Sequence, residues 1–269
     1  MTDLQRLGSL IAWLLAAGSL AVWGRGCARW IAGDRSGFVA GREPIPWSPL
    51  AVGLAFPVWL CTQQAVLSLF SGTPLEGLNR VKVTCLASGL SLLTVPALLL
   101  LTGPRRRADF GLGAGVSPRE VGWGLQGFLA TWLPVIVVSL LVNWLGLREA
   151  GARHSFFDIL EQHPGAATIG WILLAVVVLA PLAEELLYRV VLQGWLENRL
   201  PTSGAIVVVA VLFAAMHYVP GRPDSLPLFP LALGLGWLYH RRRSYLAVVC
   251  LHAAFNATNL ALAVMMQGL

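Results

Sequence analysis

Charge is scarce in this chain: Asp, Glu, Lys and Arg make up 12% of its 269 residues, well below the roughly one quarter of ordinary soluble domains. So large a shortage leaves too little polar surface for a water-soluble globule, and the 57% of hydrophobic residues points to a bilayer as the solvent. Paired cysteines are lacking too. Cys27, Cys61, Cys85 and Cys250 lie far apart, which excludes a disulfide framework or a zinc ribbon. No His-Glu-x-x-His segment, internal repeat or low-complexity tract occurs. The basic excess, 19 Lys and Arg against 13 Asp and Glu, is nearly all arginine in short connections between apolar runs. That pattern suits orientation at a membrane surface and argues against nucleic acid as a partner.

What the chain does contain is a succession of apolar runs, near residues 7–23, 49–70, 83–102, 121–145, 166–195, 205–218, 226–239 and 245–266. Most approach the ~20 residues needed to cross a hydrocarbon core, and clusters of Arg, Gly and Pro separate them. The expectation is an all-α, polytopic membrane bundle of about eight transmembrane helices, with residues 1–269 as one integral membrane domain. The first run follows Arg6 and imitates a signal-peptide core, but comparable segments follow throughout, so it reads as a retained span. Alternating the connections puts Arg25, Arg29, Arg35, Arg42, Arg105, Arg106, Arg107, Arg119, Arg199, Arg241, Arg242 and Arg243 on one side. The other side receives Arg6, Arg80, Lys82, Arg148, Arg153 and Arg222. The richer side is expected to be cytoplasmic, with both termini outside. Between the fourth and fifth runs, residues 154–163 have the spacing of a short interfacial helix, or of an ordinary structured loop. Neither His154 nor His163 is assigned a role.

A charge at the centre of a span costs about 2.5–3.5 kcal/mol on insertion scales, so polar groups there need partners, water or a function. Three groups fit. The first is Glu184-Glu185-Leu186-Leu187-Tyr188-Arg189. On a helix Glu185 and Arg189 are four apart with the acid first, the favoured order for an ion pair. Glu184 points about 100° away, free to face a cavity. The second is Phe213-Ala214-Ala215-Met216-His217, and the third is His252-Ala253-Ala254-Phe255-Asn256, with His252 and Asn256 on one face. Each group alone could be a packing network or an interhelical hydrogen bond. Together they supply what amide hydrolysis needs: Glu184 as base for water, His217 to hold or share the proton, and His252 with Asn256 as donors to a developing oxyanion. No Ser or Cys nucleophile is required.

At these residues the chain resembles the CAAX prenyl endopeptidase and bacteriocin-processing enzyme (CPBP) family of intramembrane proteases. The family pattern of two glutamates and an arginine, then Phe and His four apart, then His and Asn four apart, occurs here in order as Glu184, Glu185, Arg189, Phe213, His217, His252 and Asn256. The motif-bearing core covers about residues 166–266. The resemblance implies catalysis by Glu184, His217, His252 and Asn256, with Glu185, Arg189 and Phe213 in support. It also implies a membrane-associated protein or peptide substrate cut near its C-terminus, and residence in the plasma membrane of a prokaryotic cell. A metal-free glutamate mechanism is the expectation; if zinc is used, its ligands are Glu184, His217 and His252. Two other readings remain at this point. One is a noncatalytic scaffold or immunity protein of the same family, and the other is a proton-coupled transporter, because intramembrane acids and histidines also mark ion pathways.

Overall fold

A computed structural model describes residues 2–32, 45–72, 76–103, 106–113, 117–147, 155–218 and 225–267, the side chains of 155–157 and 267 excepted. Its elements are α1 (Asp3–Ile31), α2 (Pro49–Leu69), α3 (Gly77–Thr102), α4 (Pro118–Trp144), α5 (Ser155–Gln162), α6 (Ala166–Leu196), α7 (Thr202–Met216), α8 (Ser225–Arg242) and α9 (Tyr245–Gln267), with a 3-10 turn at Arg107–Phe110. No strand occurs among the described residues. The protein is an all-α helical membrane bundle. Every expected span coincides with a helix, and α1, α2, α3, α4, α6 and α9 are long and apolar enough to cross a membrane. α7, with 15 residues, rises only about 22 Å at 1.5 Å per residue, short of a ~30 Å hydrocarbon core. α8 ends in His240, Arg241 and Arg242, the two arginines being cations at the negative pole of the helix dipole.

α2, α6 and α9 begin where their apolar runs begin, whereas α1 extends past its run at both ends. Thr2 and Gln5 form a reciprocal capping box that starts α1 at Asp3. Ser48 Oγ accepts from Ala51 N–H and Pro49 occupies the first turn of α2. The short helix expected near 154–163 is α5, beginning at Ser155; His154 lies outside the described residues. So do Arg35, Arg42, Arg105, Arg148, Arg153 and Arg222, on which the orientation leans.

Prolines inside the helices are tolerated where a neighbour replaces the lost hydrogen bond. Pro134 in α4 cannot donate to Ala130 O, four residues back; Trp23 Nε1–H of α1 donates to that oxygen instead at 2.9 Å. α2 and α3 form a hairpin joined by Thr62 Oγ1 with Thr94 Oγ1 at 3.1 Å and by Gln63 Nε2–H donating to Ser91 Oγ at 3.3 Å. α4, α8 and α9 surround the core of Trp132, Leu231, Leu235 and Leu251. Small residues bring these helices close. A Cβ on Gly124 would stand 2.6 Å from Ala247 O, and one on Gly234 would collide with Thr131 Cγ2.

One end of the bundle gathers several connections. Tyr245 N–H donates to Gly111 O at 2.9 Å, and Gly111 adopts φ +71°, where a Cβ would press on Tyr245 N. Arg242 Nη2 meets Glu120 Oε1 at 2.8 Å, tying α8 to α4. Arg243 Nη2 meets Glu197 Oε2 at 2.7 Å, tying the α8–α9 turn to the end of α6. Arg199 and Arg242 lie over the rings of Trp195 and Trp123 at 3.9 and 4.7 Å, the aromatic and basic mixture expected where a membrane meets water.

Candidate active site

Two adjacent acids on α6 meet opposite surroundings because neighbouring side chains diverge by about 100° on a helix. The side chain of Glu185 is fully buried, while that of Glu184 keeps 22% of its surface open. Arg189 Nε–H donates to Glu185 Oε2 at 3.0 Å, the i,i+4 pair the spacing predicts. The other oxygen, Oε1, takes His252 Nδ1–H from α9 at 2.8 Å. Glu185 therefore holds a cation on one side and orients a histidine on the other.

Glu184 Oε2 stands 3.7 Å from His217 Nε2 and 3.9 Å from His252 Nε2. His217, the C-terminal cap of α7, has its Nδ1 2.7 Å from Phe213 O, four residues back. A carbonyl oxygen only accepts, so this nitrogen donates. Both imidazoles thus commit Nδ1–H to an oxygen and turn Nε2 toward one carboxylate oxygen. With both rings neutral, three acceptors would face each other. The arrangement requires a proton on one ring or a shared water donating across separations too long for direct hydrogen bonds.

Phe213 is the apolar centre of the cluster. Its ring lies 4.5 Å from the His217 ring, 5.8 Å from His252 and 5.1 Å from Tyr188, and the Arg189 guanidinium sits 5.4 Å over it. Asn256 faces α6 from the same side of α9 as His252, and one of its amide hydrogens goes to Val176 O at 2.8 Å; an amide carries a second.

The structure thus brings Glu184, Glu185, Arg189, Phe213, His217 and His252 into one cluster, with Asn256 of α9 beside it, bonded to Val176 of α6. The link from His252 to Glu185 was not legible in the spacing, because it joins different helices. Tyr188, four residues after Glu184 and stacked edge-on against Phe213 and Phe56, could have been found from its spacing. Among the described residues, no group of three or more His, Cys, Asp or Glu side chains is arranged to hold a metal ion.

A helical membrane bundle with an acid and two histidines converging inside it defines the class of protein. Residues 166–258 match the family model for type II CAAX prenyl endopeptidase Rce1-like proteins. Over that stretch the chain is similar to Rce1-like proteins, in agreement with the CPBP resemblance of its motifs. No curated protein matches the chain.

Proposed function

We propose that the chain is an intramembrane endopeptidase that hydrolyses a peptide bond near the C-terminus of a membrane-associated protein or peptide. The observation that carries this reading is the convergence of His217 Nε2 and His252 Nε2, from different helices, on Glu184 Oε2. A water bound among these atoms donates to Glu184 and to His217 and keeps its lone pairs for attack. As its oxygen bonds to the scissile carbonyl carbon, its proton passes to Glu184. The carbonyl oxygen becomes an anion that accepts from the second amide hydrogen of Asn256 and from His252 Nε2 in its N–H form. Collapse breaks the C–N bond, and Glu184 returns the proton to the departing amine.

The reading takes no metal. Zinc would need Glu184, His217 and His252 as ligands, and as placed they form no group arranged to hold a metal. Were they to close on the ion, their Nδ1–H bonds to a carbonyl and a carboxylate would suit such ligands, and zinc would supply Lewis acidity to water. The plasma membrane of a prokaryotic cell is the proposed location.

The test compares peptides from membranes of cells carrying wild type or Glu184→Gln. A new C-terminus present with wild type and lost in the variant supports the reading and names the substrate class. Full cleavage by Glu184→Gln sinks it, as does an unchanged cellular phenotype, which would favour a scaffold. Retained cleavage after exhaustive chelation supports the metal-free form; loss restored by zinc supports the other.

A further inference from the structure

The helix that carries the acids is not uniform. α6 contains two π-helical segments, Leu174–Leu179 and Leu186–Gln193, and the acid pair sits on the short α stretch Ala180–Glu185 between them. A π segment bonds N–H to the carbonyl five residues back. Returning to the four-residue step passes over one carbonyl, which then needs another donor. At the end of the first segment Ala180 N–H bonds Ala175 O. The next carbonyl is Val176 O, and the residue five beyond it is Pro181, which has no N–H to give. Asn256 Nδ2–H fills that place at 2.8 Å. At the end of the second segment Gly194 N–H bonds Arg189 O, the next carbonyl is Val190 O, and Trp47 Nε1–H fills it at 3.0 Å. In the stretch between, Leu182 O already accepts Leu186 N–H, and Tyr245 O–H donates a second bond to it at 2.6 Å. Each part of the helix has one side-chain donor from elsewhere in the fold.

The register of these segments sets where Glu184 points. One residue gained or lost by a π turn rotates the acids relative to the far part of the helix by about 100°. That would carry Glu184 away from His217 and His252, or Glu185 away from His252. We infer that Trp47 and Tyr245 are positioning residues for the candidate active site, holding α6 in its mixed register so that Glu184 faces both histidines. Trp47 is the more telling of the two. It stands just before α2, outside residues 166–258, and is itself buried, so the N-terminal part of the chain takes part in setting the geometry of the site.

This inference rests on the reading of Glu184 as the base. Its test uses the full chain in proteoliposomes and a quenched fluorescent peptide with a farnesylated cysteine four residues from its C-terminus. Tyr245→Phe keeps the ring and deletes only the donor; Trp47→Phe deletes the donor together with part of a buried indole. Each is expected to lower kcat about tenfold or more, since a small misplacement of reacting groups can cost that much, with KM unchanged. Amide exchange in residues 174–193 should rise in both variants, while the unfolding temperature of Tyr245→Phe hardly moves and that of Trp47→Phe falls only by the cost of the indole's lost packing. Wild-type kcat and unchanged exchange in both variants, with Glu184→Gln inactive, would overturn the positioning role alone. Equal losses through KM, or a collapse of overall stability, would reassign the two residues to substrate contact or general packing and also overturn it. Should Glu184→Gln cleave at the wild-type rate, or should wild type leave the peptide intact, the protease reading or its substrate fails. The exchange measurement would still decide whether the two donors hold the helix.

Discussion

The bundle buries two clusters built from glutamate, histidine and arginine, and they differ in what is left over. At the end of α6, Glu197, its side chain fully buried, spends Oε2 on Arg243 at 2.7 Å and Oε1 on Gln193 at 3.0 Å and His240 at 3.3 Å. Gln193 Nε2–H also donates to Gly236 O at 2.8 Å. In the middle of α6, Glu185 is spent in the same way on Arg189 and His252, but Glu184 beside it is partly open and meets two further ring nitrogens at 3.7 and 3.9 Å. Buried charge by itself therefore does not mark chemistry. The mark is surplus capacity aimed at a common space from helices that are held in place.

The sharpest way to break this comparison is to neutralise one acid in each cluster. Glu184→Gln should cut turnover by about 10²–10⁴-fold, the usual contribution of a general base, with the thermal unfolding midpoint in detergent unchanged. Glu197→Gln should do the reverse, costing about 1–3 kcal/mol by taking the carboxylate from the partly buried Arg243 and its neighbours, while turnover per folded molecule stays at wild type. If Glu197→Gln silenced the folded protein, the end cluster would belong to the chemistry as well.

A milder perturbation tests whether the two clusters share one scaffold. Gly124→Ala would push α4 from α9 at Ala247 and Cys250, and overpacking of this kind costs about 1–3 kcal/mol; thermal unfolding reads the loss. Gly24→Ala, with open space around it, is the matching control. The smallest effect is expected at Arg199, exposed over Trp195. Arg199→Gln should change stability by no more than about 0.5 kcal/mol, measured the same way.

Much of this architecture was legible in the residues, and the boundary of legibility has a physical cause. Helix-period statements held: the Glu185–Arg189 pair and the divergence of Glu184 follow from one helix's geometry, and apolar runs locate the helices. The runs found the starts of α2, α6 and α9 but missed that of α1, because Thr2 and Gln5 act through backbone N–H groups that hydropathy does not weigh. They also missed the donors on α6. A carbonyl freed by a π turn leaves no letter in a sequence, and nothing in the spacing of Trp47, Tyr245 and Asn256 says that all three address one helix.

By itself the sequence determined the solvent, the helical class and the short-range pairs, since each depends on composition or on residues a few positions apart. Tertiary structure alone decided that His217 and His252 turn their Nε2 atoms to the same carboxylate and that three remote donors hold the helix carrying it. Those choices are made where separate helices cross, and a crossing is fixed by packing rather than by distance along the chain.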